Sequence, residues 1–167
     1  MKRKLYIDES GWGCPVGGVT IGVMTEDGKG MFRTIHTKFF QGDVIDMQRL
    51  NEETVKQTAA LLAKSSYNSD KDFIYVCRGP FWGAVRKYFD FNYIRYKAIK
   101  IIGKPQTELG RKNSVYLKSL GVPVKRELGH GGISFTDHVK WLAQDNARLL
   151  IMKTGWEGLR KHYKDKK

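Results

Sequence analysis

The carboxylates with most chemical potential stand in YIDESG, Tyr6–Gly11. Asp8 ends an apolar stretch just before a glycine turn, where an ionised carboxylate is costly unless a cation or several donors pair with it. A divalent metal would be such a cation. Magnesium takes oxygen ligands, and two-metal phosphoryl chemistry uses clustered carboxylates to activate water and stabilise the leaving oxygen. A plain turn-capping role for Asp8 or Glu9 at Gly11 fits the same residues equally well. Thiol chemistry is not expected. Cys14 sits in a glycine turn with no partner at a telling spacing, and Cys77 falls in an apolar run that would bury it. The two cysteines lack C-x-x-C spacing and are too few for a disulfide framework, so both read as reduced thiols.

The elements that must position these groups follow from periodicity and turn residues. Lys4–Asp8 reads as a strand, Val19–Met24 as its antiparallel partner, and Met31–Phe40 as a third strand after the Asp27-Gly28 turn. Arg49–Lys64 has helical spacing, with Val55, Ala59 and Leu62 on one face and Glu52 and Glu53 in its first turn. Phe73–Cys77 is a short apolar run of the kind buried on both faces of a sheet, ended by Gly79-Pro80. Helices are predicted over Phe81–Phe89 and Gln106–Leu120, with Lys97–Ile102 a possible strand between them. Val122–Leu128 is expected as the last strand. A helix from Thr136 to Ile151 follows, capped by Thr136 or Asp137 and turning Val139, Leu142, Ala143 and Leu150 inward.

Three features in this order carry a family likeness: Tyr6-x-Asp8-x-Ser10 on the first strand, the turn at Pro15–Gly18, and Gly129-His130-x-Gly132 followed at a fixed distance by Leu142-Ala143. Together they resemble type 1 ribonuclease H, over roughly Lys4 to Met152. The resemblance implies an α/β fold for residues 1–155: a ribonuclease H-like mixed five-stranded sheet, three antiparallel strands first, flanked by helices. Residues 156–167 would be a basic tail.

The family holds two magnesium ions with four carboxylates: on the first strand, the first helix, the end of the central strand and the last helix. Asp8 matches the first directly. Glu52 or Glu53 stands for the second, with the helix phase deciding between them. The other two depart from the pattern. Cys77 or Arg78 occupies the third position and Lys140 the fourth, with Asp137 one turn earlier and Asp145 more than one turn later. Two arrangements follow. In one, Arg78 and Lys140 replace the metals and neutralise Asp8 and a helix glutamate. In the other, Asp8, Glu9, Glu53 and Asp137 form a rearranged metal site, as the type 2 enzymes use adjacent Asp-Glu on the first strand. His130 matches the family's loop histidine, which assists product release or proton transfer, and would join Asp8, Glu53 and Asp137 as a catalytic residue; a loop histidine bonded to backbone is its plainer role.

Composition points to the partner. The 167 residues carry 30 Lys and Arg against 17 Asp and Glu, a formal charge of +13, which favours a polyanion such as nucleic acid over an acidic small molecule. With 41% hydrophobic residues, one domain has ample core. Phe81–Lys104 interleaves aromatics with bases, and Trp82, Arg86, Lys87, Arg95, Lys97 and Lys100 are the expected nucleic-acid contacts, aromatic faces stacking and cations meeting phosphate. No apolar run approaches the roughly 20 residues that cross a bilayer, and MKRK leads into a strand rather than a signal peptide, so an intracellular location, cytoplasmic or nucleoid/nuclear, is expected.

The expected function is a nucleic-acid-binding ribonuclease H-like protein that recognises an RNA–DNA hybrid or double-stranded RNA through backbone shape and 2′-hydroxyls, with a degraded metal site. The alternative is an active magnesium-dependent endonuclease, a ribonuclease H or a junction-type DNA nuclease. Mg2+ or Mn2+ is the cofactor if the protein is active, and none otherwise. A basic structural protein of a ribonucleoprotein or virion is a third possibility.

Overall fold

The computed structural model describes residues 2–124, 135–157 and 159. Its centre is a five-stranded mixed sheet in the order β3-β2-β1-β4-β5. The strands are β1 (Arg3–Ser10), β2 (Val19–Met24), β3 (Gly30–Ile35), β4 (Asp72–Cys77) and β5 (Tyr96–Ile99). The first three pair antiparallel, as the short turns between them require, and β1, β4 and β5 run parallel. Four helices flank the sheet among the described residues: α1 (Met47–Lys64), α2 (Gly83–Phe91), α3 (Lys104–Ser119) and α4 (Phe135–Leu142).

Strand alternation divides the side chains between two faces. Leu5, Ile7, Ile21, Val23, Ile74 and Val76 point to one face and form the main core with Leu50, Leu61, Phe81, Val85 and Phe89 of α1, α2 and the turn before α2. On the other face α3 lies over β2. A Cβ on Gly22 would stand 3.3 Å from Leu109, so the glycine lets the helix settle there. A smaller core of Val16, Leu117, Val122 and Leu142 joins α3 and α4 to the loop after β1.

Several boundaries differ from those the periodicity predicts, each for a local reason. The third strand stops at Ile35, because the His36 ring accepts from the Lys38 amide at 3.1 Å and caps a 3-10 turn over Thr37–Phe40. Helix α1 begins at Met47, capped by the Asp46 carboxylate accepting from Arg49 N at 3.0 Å, which moves Glu52 and Glu53 out of the first turn. Its inward face includes Thr54 and Thr58, whose hydroxyls donate to the carbonyls of Leu50 and Thr54 and so satisfy themselves inside an apolar environment. Val55 and Ala59 sit at the half-buried margin. The fifth strand is Tyr96–Ile99. Residues 122–124 are not a strand, and 125–128, with the Gly129–Gly132 turn, lie outside the described residues. The last helix ends at Leu142. Asp145 accepts from Ala147 N at 2.9 Å and starts a separate 3-10 segment, Asn146–Ile151, which leaves Ala143 and Leu150 exposed. Strand β4 is buried on one face only: Ile74 and Val76 are inside, while Phe73, Tyr75 and Cys77 are half-exposed.

The segment after Ile151 clamps the loop between β1 and β2. Gly17 N donates to Ile151 O at 2.8 Å and Lys153 N to Pro15 O at 2.9 Å. Trp156 packs on the main core, and Leu159 is buried. No helix among the described residues is long and apolar enough to cross a membrane.

Lys153 is wholly buried, with Nζ donating to Gly11 O and lying 4.8 Å from the Phe40 ring centre. Desolvation lowers its pKa to about 8 from 10.5. The unfolded chain therefore binds this proton more tightly, and the cost of burying the charge, on the order of 3 kcal/mol, fades as pH rises from 8 to 10.5. Lys153→Met is expected to be more stable than the native protein at pH 7 by about 1–2 kcal/mol, the gain being trimmed by the lost hydrogen bond. The gap should narrow by pH 10, as urea unfolding at the two pH values will show. A gap that does not narrow would place the ammonium in water.

Candidate functional site

The parallel register Ile7↔Val76 sets Asp8 beside Cys77 where the two strands end, with Cys77 also touching the margin of the main core. Glu9, one residue on, turns to the core face, where the 3-10 turn Pro80–Trp82 brings an indole beneath it. Trp82 Nε1 donates a short hydrogen bond to the Glu9 carboxylate. Asp8 accepts from the Glu9 amide at 2.9 Å. A carboxylate oxygen from each acid and the Cys77 sulfur all lie within 4.8 Å of one another.

Burial raises the pKa of Asp8, and burial with the neighbouring Asp8 charge raises Glu9 to about 7, against the pull of the Trp82 hydrogen bond. Burial pushes the Cys77 thiol up to about 12, with the two carboxylates adding to it. Among the described residues neither acid forms an ion pair. No cation among the described residues offsets the two acids. The site can hold a proton between the acids, or one cation. The donor set fits a single divalent ion on Asp8 and Glu9 with Cys77 at its side, and such an ion would supply Lewis acidity toward a phosphate oxygen or a bound water.

The structure separates most of the other expected members from this pair. Glu53 is outside the group: its carboxylate accepts from Gln57, whose own oxygen accepts from Arg33 of β3 at 2.7 Å. Glu52 is exposed and accepts from Gln48 at 3.1 Å. Asp137 occupies the first turn of α4, also outside the group. His130 lies outside the described residues. Among the described residues neither Arg78 nor Lys140 forms an ion pair with Asp8 or Glu9. Arg78 is exposed and continues the sheet through its backbone, N donating to Ile99 O at 2.9 Å, while Lys140 is on the exposed side of α4.

The expected nucleic-acid contacts divide as well. Trp82 is 0% exposed and serves Glu9, so it cannot stack on a base. Arg86 is tied inward by hydrogen bonds from Nη1 to the carbonyls of Cys77 and Gly79 at 2.9 and 3.0 Å, holding the turn that positions Trp82. Lys87, Arg95, Lys97 and Lys100 are exposed along α2 and the edge strand β5. Two of the aromatics that the sequence interleaves with these bases stand out beside them, Phe91 at 83% and Tyr93 at 93% exposure, Tyr93 with a φ of 55°.

Of Cys77 and Arg78, the two residues that the resemblance offers at the third carboxylate position, it is Cys77 whose side chain joins the two acids. Cys14 does have a neighbour: its sulfur is 3.7 Å from Nε2 of His138, 124 residues away in sequence. Nothing local in the chain signals that contact.

No protein-family model matches the chain, and no curated protein does. Among solved structures, the Aquifex aeolicus member of the Ppx/GppA protein family is similar with a TM-score of 0.30 and 12% identity, over 70% of this chain. The aligned part spans 39% of that structure's own length.

The acidic pair gives a pH dependence of defined sign. The folded state binds the Glu9 proton more tightly than the unfolded chain, so the associated stability is complete below pH 4.5 and is lost as pH rises through 7. In chelator, Glu9→Gln should match the native protein near pH 4.5 and exceed it by about 1–3 kcal/mol at pH 8. Equal stabilities at pH 8 would mean that the native Glu9 charge is already neutralised.

Proposed function

We propose that this is a ribonuclease H-like nucleic-acid-binding protein in which the family's two-metal carboxylate set has contracted to a single-cation centre at Asp8 and Glu9. What supports the fold assignment is the strand order, three antiparallel strands followed by two parallel ones, with the acids on the central strand. The observation that carries the functional reading is adjacency. Cys77 pairs with Ile99, so the acidic pair lies beside the end of β5, next to Lys100 in sequence and two residues along the strand from Lys97. A polyanion gripped by Lys87, Arg95, Lys97 and Lys100 would pass that end, and a cation held there would neutralise one of its phosphates. Phe91 and Tyr93 offer exposed rings for stacking or sugar contact beside the same cations. The partner class is an RNA–DNA hybrid or double-stranded RNA, read by shape.

Glu53 and Asp137 standing apart from Asp8 favours binding over two-metal cleavage. A second reading keeps the nuclease: Glu9, with a pKa of about 7, is poised to exchange a proton near neutrality, as a general base must.

The test compares the native protein with Asp8→Asn, using labelled hybrid, RNA duplex and junction DNA in Mg2+, Mn2+ or chelator. The expected result is binding by both proteins without cutting, and a Mn2+-dependent rise in the native thermal midpoint that Asp8→Asn loses. Metal-dependent cutting that disappears in Asp8→Asn would establish the nuclease reading instead. No metal-linked stabilisation would remove the cation centre, and no binding to any of the three substrates would remove the nucleic-acid reading.

A further inference from the structure

The sheet has a face that neither core uses. Beyond the part of β1 and β2 that α3 covers, the face shared by β1, β4 and β5 carries Tyr6, Phe73 and Tyr75, and among the described residues these belong to neither apolar core. They pack on one another. Tyr6 and Tyr75 are stacked, with ring centres 5.3 Å apart and planes inclined by 16°, and Phe73 meets Tyr75 edge-on at 5.2 Å. All three are only half-buried. The strand register flanks them with bases: Lys4 pairs with Phe73 from β1, and Lys97 pairs with Tyr75 from β5.

We propose that this open face is a stacking platform for unpaired bases of single-stranded nucleic acid, with Tyr6, Tyr75 and Phe73 as the stacking surface and Lys4 and Lys97 as phosphate contacts. The inference rests on the nucleic-acid reading above and adds to it a second mode of contact, with bases rather than with duplex backbone. Three features select this occupant over an apolar partner. The surface is aromatic rather than aliphatic, and every base presents a π-face to such a surface whatever the sequence. Cations stand on both sides of it, on a chain whose net charge is +13. Lys97 is exposed, and the ion pair of Lys4 among the described residues is a 3.7 Å contact to Glu26, whose side chain is 71% exposed, so both are available to a phosphate. The track is also continuous with the acidic pair. Asp8 and Cys77 lie two residues further along the same face of β1 and β4, about 7 Å on. A strand laid over Tyr75 would thus deliver its next phosphate to the cation centre.

The experiment measures fluorescence anisotropy of a labelled polypyrimidine strand, as DNA and as RNA, and of the corresponding duplex, with native protein, Tyr75→Leu, Tyr75→Phe and Lys97→Ala. Circular dichroism and the thermal midpoint verify that each variant is folded. Single strands should bind the native protein and Tyr75→Phe alike. Tyr75→Leu should weaken single-strand binding about tenfold with the salt slope unchanged, and Lys97→Ala should lower the slope by about one. Duplex binding should be insensitive to Tyr75. Single-strand affinity unmoved by Tyr75→Leu would overturn the platform while leaving the nucleic-acid reading in place, and no binding to strand or duplex would overturn both. Self-association that Tyr75→Leu abolishes would make the occupant a second copy of this chain and also overturn the proposal.

Discussion

Parallel pairing between β1 and β4 is the constraint on which the rest depends. Its register, Leu5↔Ile74 and Ile7↔Val76, gathers the aliphatic residues of both strands on one face, where α1 and α2 cover them. Strand alternation then leaves no freedom for the residues between. Tyr6 must meet Tyr75 on the opposite face, and Asp8 must meet Cys77 where the two strands end. A slip of β4 by one residue would turn Tyr75 and Cys77 toward the aliphatic core and expose Ile74 and Val76. The aromatic stack and the acidic group are thus two consequences of one register, held in place by the burial of side chains that take no part in either.

Charge is distributed in a way the net value hides. Exposed cations line α2 and β5, while the acids whose pKa is raised, buried Asp8 and half-buried Glu9, stand at the end of the central strands with no ion pair among the described residues. An unpaired carboxylate couple in a low-dielectric setting is expensive, and an uninvolved protein relieves such a couple with a neighbouring Lys or Arg. Here the buried cation nearest in kind, Lys153, is committed to Gly11 O and the Phe40 ring instead. Trp82 supplies Glu9 with a neutral donor, which holds the carboxylate in place without cancelling its charge. That combination preserves an attraction for an external cation, and Arg86 supports it at one remove by bonding the carbonyls of the turn that carries Trp82.

The order of elements and the sheet's antiparallel beginning were legible from the chain because each depends on neighbours a few residues apart: the alternation in Val19–Met24, the Asp27-Gly28 turn, the helical spacing before Lys64. Asp8 was legible for the same reason, as a carboxylate ending an apolar strand before a glycine turn. The cations of Phe81–Lys104 could be read as a group, but not their exposure. Trp82 and Arg86 belong to the same basic, aromatic stretch as Lys87 and Lys97, and only packing distinguishes the indole that props Glu9 from the lysines that face water.

What tertiary structure alone decided was which residues meet across long separations. Cys77 joins Asp8 and Glu9 because two strands some distance apart in sequence happen to pair in a given register, and Arg78, the next residue, is carried away by its backbone bond to Ile99. Glu53 turns toward Gln57, which accepts from Arg33 of β3, a link between α1 and the sheet that spacing along the helix does not show. Cys14 meets His138 for no reason visible near either residue. Local sequence determines an element's type through the conformational preferences of adjacent residues. The meeting of side chains is determined by how whole faces are buried against one another, and that is a property of the assembled core.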